Sequence, residues 1–119
     1  MLLGRRPVSA VETTIDAGVC GFVTRVRATA DSDAMVRFEI DSPCANIQGL
    51  AVRLPAVDAY AEIGAGFEGE VLRTARTSLK ACCSGCVVPN GIFKGMQIAA
   101  GLALPRDISM GFERVEEKT

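Results

Sequence analysis

Cysteine is the residue type in this sequence whose chemistry and spacing favour a functional site. Five cysteines occur among 119 residues, namely Cys20, Cys44, Cys82, Cys83 and Cys86. Histidine is absent, which excludes imidazole bases, histidine metal ligands and Ser-His-Asp or Cys-His catalysis. A thiolate can bind a soft metal ion or attack another sulfur atom. The sequence therefore predicts metal binding or thiol exchange.

All five cysteines are predicted in turns or at helix starts. Cys20 falls in a glycine-containing hairpin turn, and Cys44 follows a Ser-Pro helix start. The remaining three lie in a Ser-Gly loop before the last predicted helix. Cysteines that only fill space would be expected on inward strand positions or in the middle of helices. The placement therefore favours a chemical role.

The leading hypothesis is one four-thiolate site made by Cys20, Cys44, Cys83 and Cys86, with Cys82 able to replace Cys83. Four sulfur ligands without histidine select Zn²⁺ or an iron–sulfur cluster over hard cations. The spacing Cys-x23-Cys-x38-Cys-x2-Cys differs from zinc-finger patterns, so the fold must bring the loops together. This hypothesis describes a metal-binding protein that is not an enzyme, with Zn²⁺ ahead of iron–sulfur.

Two other hypotheses remain open. Helix N-termini lower the pKa of a nearby thiol, so Cys44 and Cys86 are expected to favour the thiolate. In the second hypothesis Cys86 is an activated nucleophile or sulfur acceptor and Cys83 is its resolving thiol. The Cys-x-x-Cys spacing is weak evidence by itself, since five random cysteines would give it roughly one time in six. The third hypothesis is an interaction module with inert thiols and no cofactor.

The periodicity of the chain predicts an α+β fold. Alternating apolar residues indicate strands at 11–17, 22–28 and 34–40, joined as an antiparallel three-strand meander. Apolar residues three and four positions apart indicate helices at 42–54 and 68–80, with a short piece at 58–63, and a last helix begins near Pro89. Ile108, Met110 and Phe112 alternate again and predict a C-terminal strand that returns to the sheet. Two to three helices are expected to pack on one sheet face.

Composition limits the class of protein. The chain is 49% hydrophobic and 23% charged, with a net charge of −1, which excludes extensive disorder and predicts no nucleic-acid partner. We predict a flexible arm at 1–10, one domain at 11–115 and a charged tail at 116–119. No membrane span or signal peptide is predicted, so the expected location is the cytoplasm with reduced thiols. The small aliphatic core favours added stability from a homo-oligomer or a metal.

Four segments carry a resemblance to known proteins. The stretches AGVCGF at 17–22, PCANI at 43–47, CVVP at 86–89 and AAGLALP at 99–105 resemble a small family of uncharacterised prokaryotic proteins, a domain of unknown function with recurring cysteines. The resemblance covers nearly the whole chain after the arm and implies no activity. It implies that Cys20, Cys44 and Cys86 are the recurring thiols, so a three-thiolate site with an open position is an alternative.

The segment that begins at Cys86 also resembles the sulfur-carrier proteins of the tRNA-thiolation pathway. In those proteins the acceptor cysteine starts a helix within a Cys-Pro-x-Pro motif. Here Val87 stands in the position of the first proline, and the three predicted leading strands do not match that short fold. The resemblance therefore covers only the C-terminal part of the chain.

Overall fold

The structure is a computed structural model and describes residues 7–117. Residues 1–6 of the predicted arm (1–10) lie outside the described residues. So do residues 118–119 of the predicted charged tail (116–119). The described chain begins directly with a strand at Pro7.

Four antiparallel strands form one sheet. They are β1 (Pro7–Asp16), β2 (Val23–Asp31), β3 (Met35–Asp41) and β4 (Val57–Asp58), and they lie side by side in that order. Alternation along β2 buries Thr24, Val26 and Ala28, while Arg25 and Arg27 are exposed. One face of the sheet therefore belongs to the core, and the opposite face is charged and open to solvent.

Four α-helices complete the domain. They are α1 (Ala45–Arg53), α2 (Ala59–Ala65), α3 (Glu70–Ser78) and α4 (Val88–Ala99), with 3₁₀ helices at Gly66–Glu68 and Ala81–Gly85. Helix α4 packs on β1 and β2, α1 packs on β3, and α3 contacts both helices. None of the helices in the described chain is both long and apolar enough to cross a membrane.

The α+β class is confirmed, but the predicted strand and helix inventory is wrong. The sheet has four strands rather than three, because Val57 and Asp58 pair with Val36 and Met35 of β3. The described chain has four α-helices rather than two or three. The helix predicted at 68–80 is present as α3 (Glu70–Ser78), and it begins two residues later than predicted because the backbone of Gly69 is extended.

The predicted C-terminal strand is also wrong. Residues 104–117 form neither helix nor strand, and Ile108, Met110 and Phe112 are all exposed. A strand requires a partner edge for its backbone hydrogen bonds, and this segment lies beside the helices instead, where Ile108 lines a groove with Phe67 and Phe93. The alternating pattern is present, but within the described residues no strand pairs with it.

Two glycines allow α4 to approach the sheet closely. A Cβ atom at Gly91 would overlap the Ile15 side chain of β1, and one at Gly95 would lie 2.9 Å from Thr13 Oγ1. Both glycines are buried. Since Cys86 lies just before α4 and Cys20 lies just after β1, the same contact sets the distance between the two segments that carry these thiols.

We expect Gly91→Ala to destabilise the protein by about 1–3 kcal/mol, because the added methyl group forces α4 away from Ile15. Gly49→Ala is the matched control, since Gly49 lies in α1 with open space around its Cα. Helix propensity alone should make that variant up to about 1 kcal/mol more stable. Urea unfolding measures both changes, and a destabilisation of equal size in the two variants would contradict the packing argument.

Candidate functional site

Cys20 lies in the turn that joins β1 to β2. Gly18 and Gly21 flank it with φ values of +86° and +75°, a left-handed conformation that favours glycine. The Gly21 N–H donates to the Gly18 carbonyl at 2.8 Å, and the Gly18 N–H donates to the Asp16 carboxylate at 2.9 Å. This turn holds Cys20 at the exposed end of the hairpin.

Ser42 fixes the backbone next to Cys44. Its hydroxyl oxygen accepts the Cys44 N–H at 3.1 Å and the Thr24 hydroxyl at 2.8 Å, and its carbonyl accepts the Gln48 side-chain amide at 2.8 Å. Ser42 and Thr24 are both buried. Because Thr24 lies near the start of β2, this bond ties the Cys20 hairpin to the segment that carries Cys44.

The sequence predicts Ser42 as the cap of the first helix, and this detail is wrong. The residue at the N-cap of α1 is Cys44, which makes no side-chain capping bond. Ser42 lies two residues earlier and accepts the N–H of Cys44 itself. Its role is therefore to orient the cysteine rather than to start the helix.

Cys83 and Cys86 share one short turn. The Cys83 N–H donates to the Lys80 carbonyl and the Cys86 N–H donates to the Cys83 carbonyl, both at 3.1 Å. The side-chain amide of Asn46 donates to Cys83 Sγ at 3.3 Å. Asn46 is in the first turn of α1, two residues after Cys44. This bond therefore brings the Cys83 loop to the end of α1 that carries Cys44.

The electrostatics of Cys86 connect all four thiols of the predicted set. Burial is the largest effect and raises the pKa of the Cys86 thiol, the backbone N–H of Val88 lowers it, and negative charge on Cys20, Cys83 and Cys44 raises it further. The net direction is upward. The Cys20 turn, the start of α1 and the 81–86 loop each carry a thiol that acts on Cys86, and the Asn46 bond places the Cys83 loop beside the start of α1.

This direction corrects one expectation. The sequence predicts a lowered pKa for Cys86 from its position at a helix start, but burial and the neighbouring thiolates outweigh the Val88 N–H. A raised pKa leaves less thiolate at neutral pH. An activated Cys86 nucleophile therefore loses its main physical support.

Cys82 differs from the other four cysteines. Its side chain is exposed like that of Cys20, but unlike Cys20 its charge does not raise the pKa of Cys86. Cys83, by contrast, is half-buried, accepts the Asn46 bond and acts on Cys86. Of the two adjacent cysteines, Cys83 is therefore the candidate ligand.

The thiols do not form a finished metal cage. Across residues 7–117, no group of three or more cysteine, histidine or acidic side chains is arranged so that it could hold a metal ion as it stands. All five cysteines are free thiols. The ligand roles of Cys20, Cys44, Cys83 and Cys86 therefore stay a prediction.

Sequence reasoning missed the residues that orient the thiols. Thr24 is predicted to point inward, but its bond to Ser42 joins residues 18 positions apart. The bond from Asn46 to Cys83 spans 37 positions. The local sequence signal for the role of Asn46 is that it is a short polar residue two positions after Cys44, in the first turn of the helix.

The chain belongs to a family of unknown function (DUF6951), which matches residues 11–112. No curated protein and no solved structure is significantly similar to it. The match confirms the predicted resemblance to a domain of unknown function. The prokaryotic origin and the recurrence of the cysteines stay predictions.

We expect Ser42→Ala to destabilise the protein by about 2 kcal/mol, since the buried Thr24 hydroxyl and the Cys44 N–H both lose their acceptor. Adding Thr24→Val removes the orphaned hydroxyl. The double variant should therefore be less destabilised than the sum of the single variants, by about 1 kcal/mol. Chemical unfolding measures this cycle, and Thr14→Val on the exposed face is the control, within about 0.5 kcal/mol of the parent. Strict additivity would contradict the contact.

The alkylation rate of Cys86 against pH should have a midpoint above that of an ordinary thiol in the metal-free protein, because its pKa is raised. Cys20→Ser combined with Cys44→Ser should lower that midpoint, since two of the neighbouring negative charges are removed and burial remains. Cys82→Ser should leave it unchanged. Mass spectrometry of the labelled peptide measures the rate, and a midpoint that the double variant leaves unchanged would contradict the influence of Cys20 and Cys44 on Cys86.

Proposed function

We propose that the protein binds a soft metal ion, Zn²⁺ in preference to an iron–sulfur cluster, through Cys20, Cys44, Cys83 and Cys86. The observation that carries the proposal is the effect of three remote cysteines on the fourth. Under the proposal, chain segments separated by many residues each contribute a thiol to one site. Cys44, Cys83 and Cys86 also pack against the edge of the hydrophobic core, and none of the four side chains is fully buried, so their sulfur atoms stay within reach of an ion.

The charge balance of the cluster favours a bound cation. Each thiolate near Cys86 makes its ionisation harder, so four thiolates together are strained by mutual repulsion. A divalent ion replaces that repulsion with attraction and displaces the protons. The same arrangement that disfavours a reactive Cys86 in the metal-free protein therefore favours a metal ligand.

Hydrogen bonds to sulfur support the same proposal. The Asn46 amide donates to Cys83 Sγ, and the Val88 backbone N–H donates to Cys86. Donors around metal-bound ligands orient them and tune the metal site. Two of the four proposed ligands already have such a donor.

Metal binding requires the sulfur atoms to move, since no group of ligands in the described chain is arranged as a cage. Cysteine side chains rotate between staggered positions, and the exposed Cys20 can do so without losing packing. The hydrogen-bonded turns hold the backbone in place meanwhile. Closure of the site is therefore proposed as a side-chain movement on a preformed backbone, in the reducing cytoplasm that the sequence predicts.

Protein purified without oxygen should bind about one equivalent of Zn²⁺ per chain. Cys20→Ser, Cys44→Ser, Cys83→Ser and Cys86→Ser should each weaken binding by at least about tenfold, because each removes a thiolate ligand. Cys82→Ser is the matched control and should bind as the parent does. Competition against a chromophoric chelator measures affinity, and elemental analysis measures stoichiometry.

Visible absorption of the same sample distinguishes the two metal occupants, since an iron–sulfur cluster is coloured and Zn²⁺ is not. Less than about a tenth of an equivalent of Zn²⁺ or iron would contradict the proposal. Equal weakening by Cys82→Ser and Cys83→Ser would contradict the assignment of Cys83.

A further inference from the structure

The C-terminal segment 104–115 presents large apolar side chains that the fold leaves uncovered. The exposed fractions are 81% for Leu104, 70% for Ile108, 66% for Met110, 90% for Phe112 and 76% for Val115. Three of these side chains recur at every second position, as on one face of an extended strand. Contiguous exposed apolar surface of this kind marks an interaction site.

A groove lies next to this segment. It has a volume of about 540 Å³ and runs between α4 and the region from α2 to α3, with apolar walls that include Ile63, Phe67, Leu72 and Phe93. Phe67 is 74% exposed and Ile63 is 42% exposed. Ile108 reaches the groove within its own chain yet remains mostly exposed, so its own chain does not seal the contact. We name this feature the α3–α4 groove.

We propose that two copies of the chain form a two-fold dimer in which segment 104–115 of each copy covers the α3–α4 groove of the other. Five side chains that are at least two-thirds exposed present on the order of 500 Å² per copy. Mutual exchange buries two segments and two grooves. The total then exceeds the roughly 1,000 Å² that a specific interface requires.

Charge supports a second copy as the occupant. In the sequence, Glu113, Glu116 and Glu117 follow Phe112 together with two cations, Arg114 and Lys118, so this end is acidic by one charge. Lys94 lies on the lining of the groove and is exposed. An acidic end beside a lysine at the rim fixes the direction of docking, and a two-fold axis makes the same contact twice.

Sedimentation equilibrium of the full chain under reducing conditions tests the proposal, since reductant excludes dimers linked through Cys82. We expect a dimer at about 100 µM, well above a micromolar dissociation constant. Phe112→Ser with Met110→Ser, and separately Phe67→Ser, should weaken the dimer by about tenfold or more. Val52→Ser is the matched control, because Val52 is 86% exposed on α1, away from the groove.

Mixing provides a complementary measurement. The copy with Met110→Ser and Phe112→Ser keeps an unaltered groove, and the copy with Phe67→Ser keeps an unaltered segment. In a mixed dimer that segment can still cover that groove, so the mixture should recover part of the dimer that neither variant forms alone. In the parent protein, hydrogen-exchange protection of 104–115 and of the groove should fall together on dilution, which tests the interface without any variant.

Three results would overturn the proposal. The first is a monomer at every concentration. The second is a dimer that Phe67→Ser and the segment variant leave unchanged. The third is a monomer whose segment 104–115 is already protected from exchange, which would mean that each chain covers its own groove. None of these outcomes depends on whether the thiol cluster binds metal.

Discussion

The close seating of α4 on β1 and β2 is the contact on which the candidate site depends. Two buried glycines remove the side chains that would hold the helix away from Ile15 and Thr13. The start of this helix follows Cys86, and the end of β1 leads into the Cys20 turn. If α4 lay farther from the sheet, Cys86 and Cys20 would be farther apart whatever the conformation of their loops.

Two polar contacts extend this arrangement to the other cysteines. The buried bond between Thr24 and Ser42 fixes the chain before Cys44 relative to β2, and Asn46 holds Cys83 at the start of α1. The first contact joins residues four positions from Cys20 and two from Cys44, and the second is made to the sulfur of Cys83 itself. A buried hydroxyl pair is retained because breaking it leaves an unsatisfied polar group in the core, so the fold specifies where the loops meet.

In the proposed site, mutual repulsion among thiolates would favour a bound cation over nucleophilic chemistry. A reactive cysteine requires positive surroundings that lower its pKa, whereas Cys86 is partly buried among other thiols. Because no metal cage exists among residues 7–117, the proposal requires the site to close when the ion arrives. In the proposal, the backbone holds the four cysteines near one another, and rotation of their side chains completes the site.

Local patterns in the sequence account for part of this picture. The two-residue period correctly predicts that Thr24, Val26 and Ala28 face the core, although Phe22, predicted on the same side, is exposed. The glycines around Cys20 correctly predict a turn. Strand β4 is only two residues long, so it leaves no period to recognise. The alternation at Ile108, Met110 and Phe112 describes a side-chain pattern but carries no information about an available partner edge. The direction of the Cys86 pKa depends on burial and on distant thiols, which no local pattern contains.

X-ray absorption at the zinc edge tests the central claim most directly, because it reports the atoms around the ion in the loaded full-length protein. The account predicts four sulfur neighbours at about 2.3 Å. A first shell dominated by oxygen or nitrogen would contradict it, since the ion would then be bound outside the thiol cluster.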